Sequence, residues 1–191
     1  MTEAASLLLQ NGYAGFSMRR LAERIGYSVM TIYRYFENKE ELIGAVLQSG
    51  FARFETDLAR AAAGDATPRE RIRRIGIAYV TFGLDNPILY HLMFMQAPGA
   101  IPGGLHGVPD RTHPERPTGF VASMFAVLDA WIASGESRIK DVDLLGHVLW
   151  SAVHGVVALG IGAMDHTREE MLEIGRETID TTLRGIDVIA T

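Results

Sequence analysis

The sequence predicts an all-α protein, with a small three-helix domain over residues 1–47 followed by a larger helical domain over residues 48–191. Three observations carry that expectation. Apolar residues recur at helical spacing along most of the chain. No stretch shows strand-like alternation of useful length, and there is no internal repeat. Ser, Thr, Asn, Gly and Pro fall where periodic segments start and stop, as caps and breakers do.

Taken in order, a first helix covers about residues 2–10 and stops at Asn11-Gly12, a C-terminal glycine signal. Ser17 is placed to cap a second helix, and Gly26 follows it. A third, short helix begins after Ser28 and ends near Phe36. Asn38 is placed to cap a fourth that runs to about Ala62, with Glu40 and Glu41 in its electropositive first turn. In "GDATPRE", Thr67 caps, Pro68 takes the first helical position and Glu70 is spaced for a capping box. That helix ends at Asp85-Asn86, because a proline disfavours helical geometry in the residue before it, and Pro87 then opens the short helix "PILYHLMFMQ". Five prolines and several glycines make Ala97 to Pro117 an irregular loop. Three longer helices are expected near Thr118–Ser134, Val142–Ala163 and Thr167–Ala190.

With 191 residues, 48% of them hydrophobic, the chain is long enough to bury a core. Cysteine is absent, which excludes disulfides, thiolate zinc sites and cysteine nucleophiles and fits a cytoplasmic setting. A net charge of −5 argues against a surface that coats nucleic acid or anionic membrane as a whole. The acidity belongs to the later part, since residues 1–47 hold five basic groups (Arg19, Arg20, Arg24, Arg34, Lys39) and five acidic ones (Glu3, Glu23, Glu37, Glu40, Glu41). The apolar run Leu7 to Leu9 is too short for a secretory signal and follows no basic residues.

Leu144 to Met164 is a stretch of 21 residues without a formal charge, long enough to span a membrane. His147, Ser151 and His154 interrupt it, Asp141, Asp143 and Asp165 flank it, and no Lys/Arg cluster marks an inside end. The better reading is a helix buried on most sides, within a core and against a partner subunit, with no membrane.

The stretch "LAERIGYSVMTIYRYFENKEEL" carries the chemistry of the first domain. Leu21, Ala22 and Ile25 lie on one face of the second helix, while Ile32 and Phe36 lie one turn apart on the third. Ala22 is small where crossing helices come close, and Gly26 relieves the sharp turn of a helix-turn-helix unit. Val29, Met30, Tyr33 and Arg34 then face outward. Apolar side chains there can meet thymine methyls, and the hydroxyls of Ser28, Thr31, Tyr33 and Tyr35 can reach phosphates. Arg34 and Lys39 add charge, and the helix starting at Asn38 offers amide groups to a phosphate. The plainer alternative is that Gly26 joins two core helices and the tyrosines pack.

"GFSMRRLAERIGYSVMTIYRYFENKEELIGAVL" strongly resembles the DNA-binding domain of the tetracycline-repressor-like (TetR) family of bacterial transcriptional regulators. The resemblance implies that Ser17 and Arg19 touch the DNA backbone and that Ser28, Val29, Met30, Thr31, Tyr33 and Arg34 read the groove. Tyr33, Tyr35 and Lys39 would hold phosphates. Members of the family carry further residues ahead of the first helix, so that helix is expected to be short here and a DNA-contacting arm to be missing. Where the recognition helix of relatives has Lys or Arg before a small residue, this chain has Val29 and Met30.

"NPILYHLMF" and "LWSAVHGVVAL" resemble the ligand-binding domain of a subgroup of the family marked by a Trp-His-Gly helix. The residues themselves also outline an apolar chamber. His147, Trp150 and His154 share a helix face opposite Leu145, Leu149, Ala152, Val153 and Val156. Tyr90 and Phe94 share a face of the short helix, as do His91 and Met95, and Phe120, Met124, Leu128 and Trp131 line the next long one. Such side chains suit a small-molecule cavity and equally suit a core.

His147 and His154 stand about 10 Å apart along the axis at 1.5 Å per residue, too far to share an ion. His106 and His113 lie in the loop without a carboxylate cage, and no nucleophile motif, phosphate loop or HExxH pattern is present. We expect no metal, no cofactor and no enzymatic activity. The last helix sets Leu172, Ile179, Leu183, Ile186 and Ala190 against Glu169, Glu173, Glu177, Asp180 and Arg184, which suits a four-helix dimer interface with the helix before it.

The combined reading is a cytoplasmic, homodimeric regulator, a repressor, with a double-stranded DNA operator and a small apolar or aromatic effector as partners. Two alternatives stand beside it. One is a ligand-sensing helical protein whose DNA binding is impaired by a short N-terminus; the other is an all-α enzyme using His91 or His154.

Overall fold

The computed structural model describes residues 2–96, 119–162 and 165–188. The expected proline-rich loop with His106 and His113 lies outside the described residues, as do Ala163, Ala190 and the side chain of Phe120. Among the described residues the fold is all-α: α1 Thr2–Gly15, α2 Met18–Ile25, α3 Val29–Tyr33, α4 Lys39–Ala62, α5 Pro68–Asp85, α6 Pro87–Phe94, α7 Gly119–Ala133, α8 Val142–Gly162 and α9 Arg168–Ile186.

The caps form where local chemistry demands them. Ser17 Oγ accepts from the Arg20 N–H at 3.2 Å, Ser28 Oγ from the Thr31 N–H at 3.1 Å, and Asn38 Oδ1 from the Glu41 N–H at 2.8 Å. Thr67 accepts from the Glu70 N–H at 3.2 Å, but the Glu70 carboxylate turns forward to Arg74 Nε at 3.1 Å instead of back to the cap. The reciprocal capping box forms on α9, where Thr167 and Glu170 each bond the other's backbone.

The first helical run breaks at Gly12, as the Asn11-Gly12 signal predicts: Gly12 takes the non-helical φ 65°, ψ 176°. What the sequence does not announce is the further turn that follows the kink within α1, closed by the Phe16 N–H on Gly12 O at 3.1 Å. A residue without a Cβ reaches that positive φ and lets the chain kink and resume.

The chain forms two compact units, Met1–Arg53 with Asn86–His113 and Phe54–Asp85 with Pro114–Thr191. α6 belongs to the first of these units. Gly50 on α4 makes room for that helix: a Cβ there would stand 2.8 Å from Leu89 Cδ1 and 2.9 Å from Met93 Sδ. Leu8, Phe16, Leu21, Ala22, Ile32 and Leu47 are buried in this unit.

In the second unit α5, α8 and α9 pack on one another, with α7 against α5 and α8. Val80, Trp131, Leu145, Val157, Met171 and Leu183 are its most buried apolar side chains among the described residues. Glycine again sets the spacing, since a Cβ on Gly175 of α9 would meet Val80 Cγ1 of α5 at 2.9 Å. The buried stripe of α9 is Met171, Gly175, Ile179, Leu183 and Ile186, so Met171 takes the place expected of Leu172. Asp180, expected on the solvent face, is bound by α5: Arg73 Nε donates to its Oδ1 at 2.6 Å and Nη2 to Oδ2 at 3.0 Å. Arg69 and Asp187 pair likewise at 2.8 Å, and Arg168 and Asp85 at 2.5 Å. On α8 the buried residues are Leu145, Val153, Val156 and Val157, while Leu144 and Leu159 are 54% and 51% exposed.

Candidate nucleic-acid interface

α2 and α3 meet through a turn that the sequence specifies residue by residue. Gly26 closes α2 at φ 72°, with its N–H on Ala22 O and Glu23 O. Tyr27 follows with its N–H on Ala22 O at 3.0 Å, and Ser28 then caps α3. Ala22 and Ile32 are buried between these helices, which fixes the face that α3 turns inward.

What α3 turns outward follows from that anchor. Met30 is 74% exposed, and Tyr33, Arg34 and Tyr35 are exposed beside it, while Val29 and Thr31 are half-buried. Ser28 is exposed, with its hydroxyl 2.8 Å from that of Thr31. Arg34 Nη2 donates to Tyr35 Oη at 3.1 Å, and its guanidinium lies 5.1 Å from the Tyr35 ring centroid, so cation and phenol stand together at the surface.

The remaining expected DNA contacts sit around this helix in the same unit. Ser17 is half-buried and committed to its cap, and Arg19 is exposed in an i,i+4 pair with Glu23 at 3.2 Å. Lys39 is half-buried: its Nζ donates to Tyr13 O at 3.2 Å and lies 4.0 Å from the Tyr13 ring centroid. An ammonium has three protons, so this anchor leaves donors to spare. The Tyr13 hydroxyl in turn donates to Glu40, which holds that carboxyl below its usual range and pushes the phenol up. At the start of α4, Glu41 Oε2 accepts from the Glu37 N–H at 2.6 Å. Two carboxylates thus stand where an approaching phosphate would meet the helix end, which weakens the expected attraction there.

Four residues of this region went unnoticed in the sequence. Tyr27 is a large exposed aromatic in the turn itself, and its position next to Gly26 was the available signal. Arg20 and Arg24 brace the unit from within: Arg20 Nη1 donates to Gly15 O at 3.2 Å, and Arg24 Nε to Glu3 Oε2 at 2.6 Å and Nη1 to Gln10 at 2.9 Å. Tyr13, beyond the kink, had no signal in the local spacing.

The ten residues expected to line a chamber divide between the units. Tyr90, His91, Phe94 and Met95 belong to the first, where Tyr90 is fully buried with its ring 4.9 Å from Phe94, and Phe94 lies 5.6 Å from Phe51. In the second, Met124 is half-buried and Trp131 fully buried, and the Trp131 indole Nε1 has no hydrogen-bond partner among the described residues. His147 is exposed, with its Nδ1 2.6 Å from Asp143 O. The Trp150 and His154 rings lie 5.2 Å apart, tilted by 41°, and converge on a residue that sequence reasoning missed, Tyr79 of α5. Trp150 Nε1 donates to Tyr79 Oη at 2.9 Å, and that oxygen lies 3.3 Å from His154 Nδ1. Burial pushes the His154 imidazole down, keeping it neutral near pH 7. Among the described residues, no three His, Asp or Glu side chains converge as metal ligands.

Comparison with known proteins gives a consistent picture. Residues 1–46 match the family model "Bacterial regulatory proteins, tetR family", and residues 72–181 match "Tetracyclin repressor-like, C-terminal domain". An HTH-type transcriptional regulator of Mycobacterium tuberculosis is 29% identical over 136 residues, 70% of this chain but 56% of that protein, so the chain spans little more than half of that relative. The HTH-type transcriptional repressor KstR of Mycolicibacterium smegmatis is 38% identical over 63 residues, 33% of this chain and 31% of the repressor. Among solved structures, the TetR family transcriptional regulator PfmR of Thermus thermophilus shares the fold, with a TM-score of 0.69 at 23% identity, covering 96% of each chain.

Proposed function

Because the chain belongs to the tetracycline-repressor-like family of bacterial regulatory proteins, we propose that it is a cytoplasmic transcriptional repressor that binds a double-stranded DNA operator as a homodimer and is controlled by a small molecule. The observation that carries the reading is α3: a five-residue helix anchored by buried Ile32 and presenting Met30, Tyr33, Arg34 and Tyr35 outward. That inventory suits a major groove, with hydroxyls and a cation for phosphates and apolar groups for base edges. Ser17, Arg19 and Lys39 supply backbone contacts.

The homodimer is supported by the apolar residues that α8 and α9 leave exposed, Leu144, Leu159 and Ile174. By composition α8 could cross a membrane, and only 22% of its apolar window is buried within the chain. A second copy seated against that face would bury it without a membrane. The repressor sense follows the name of the KstR relative. Control by a small molecule is supported by Trp150 and His154 of α8 beside Tyr79 of α5, polar groups of the kind that orient a small effector. An effector that binds better to a dimer with wrongly spaced recognition helices lowers operator affinity by that preference.

Fluorescence anisotropy on duplexes from the gene's own upstream region, at two salt concentrations, tests the regulator reading. Specific, salt-sensitive binding is expected, weakened about 5-fold or more in Tyr33→Ala by the lost hydrogen bond. Weak binding that is equal on every duplex and indifferent to Tyr33 would overturn it.

A further inference from the structure

The inference rests on the reading of α3 as a DNA-reading helix and concerns which chemical group it reads. The polar side chains of its first turn are turned on one another. Ser28 Oγ accepts from the Thr31 N–H at 3.1 Å and sits 2.8 Å from Thr31 Oγ1, so a hydroxyl proton is spent within the pair. One turn on, Arg34 is coupled to the Tyr35 phenol at 3.1 Å. What projects from the first turn is Met30, 74% exposed, with Tyr33 three residues on along the same face.

A thioether has no proton to donate and is a weak acceptor. It cannot satisfy the N7 and O6 acceptors of guanine, the N6 donor of adenine or the N4 donor of cytosine, and a base edge left facing it loses hydrogen bonds to water without replacement. The one apolar group in the major groove is the C5-methyl of thymine. A long, unbranched and polarisable side chain can settle against that methyl. We propose that Met30 is a specificity-determining residue that selects thymine at one base pair of each half-site through its C5-methyl group. Val29 does not share the task, because it is half-buried against the fold.

The test separates this claim from the reading beneath it. A random duplex pool is selected on the protein to give a preferred site, and each thymine of that site is then replaced in turn by deoxyuridine, which removes only the methyl. One thymine per half-site should lose about 4-fold in affinity, the factor expected for one buried carbon. Met30→Leu should keep that sensitivity, while Met30→Ala and Met30→Gln should bind thymine and deoxyuridine alike. Because Met30 is exposed, all three variants should melt with the parent, which excludes misfolding as the cause. Two results would overturn the proposal while leaving the regulator intact: no thymine sensitive to deoxyuridine, or a sensitivity that survives in Met30→Ala. A pool from which no sequence is enriched would overturn both.

Discussion

Glycine at position 175 is a matter of space, and at position 12 a matter of handedness. A Cβ at Gly175 would press to 2.9 Å from Val80 Cγ1, a branched side chain in the packed interior that has little freedom to retreat, whereas one at Gly12 would meet nothing within 4 Å. Gly12 is instead held at φ 65°, ψ 176°, a region essentially reserved for glycine, where an L side chain costs about 1–3 kcal/mol. Gly175→Ala is therefore expected to lose about 1–3 kcal/mol by overpacking. Urea unfolding measures the loss, and Gly175→Ala combined with Val80→Ala should recover part of it; an unchanged midpoint in the single variant would show that the helices slide apart freely. The two glycines also mark what a sequence discloses at this scale. Caps such as Ser17, Ser28 and Asn38 were legible because donor and acceptor lie three residues apart. Gly12 was legible as a stop, though not the turn that resumes beyond it, and Gly175 was silent, because its reason stands on another helix.

Between elements, the Arg73–Asp180 pair shows how a charge that looks solvent-facing can be structural. Its partners are 107 residues apart, so helical spacing on α9 alone assigned Asp180 to the solvent. Arg73, by hydrogen bond and charge, holds the Asp180 carboxyl below its usual range, with Arg184 and Arg69 adding to the effect. Both side chains are about a third exposed, at 31% and 29%, so screening trims the gain and Arg73→Ala is expected to cost about 1 kcal/mol. A carboxyl whose pKa falls on folding stabilises fully above the unfolded value of about 4, and that contribution disappears as pH drops through the lower folded value. Thermal melts from pH 7 to pH 2 should show Asp180→Asn less stable than the parent at pH 7 and converging with it in acid. A constant gap across that range would exclude the linkage. The α2–α3 site was the most legible element, because Gly26, Ser28 and Ile32 act on near neighbours. The orientation of Lys39 towards Tyr13 was not, since Tyr13 arrives from beyond a kink.

For the molecule as a whole, the unfinished surface is the exposed side of α8. Leu159→Glu places a charge where 51% of the residue is already exposed, so the protomer should keep its helical circular dichroism while a dimer sealed by that face should dissociate. Sedimentation velocity is expected to show a dimer for the parent and a monomer for the variant; a parent that sediments as a monomer at micromolar concentration would sink the dimer reading. The all-α class was legible from periodicity and punctuation. The Trp150–His154–Tyr79 cluster was legible only in part, because Trp150 and His154 were identified by their own helix face, while Tyr79, which joins them, stands on another helix 71 residues from Trp150.

The three arginine–aspartate rungs between α5 and α9 have one more consequence. Read along α5 the signs run plus, plus, minus at Arg69, Arg73 and Asp85, and their partners Asp187, Asp180 and Arg168 come in descending order. The rungs therefore encode a direction. Were α9 laid alongside α5 in the opposite sense, Arg168 would face Arg69 and Asp187 would face Asp85, like charge against like at both ends. The hydrophobic stripe of α9 would tolerate either sense, since an apolar face has no arrow; the charges supply one, and they disfavour the reversed docking.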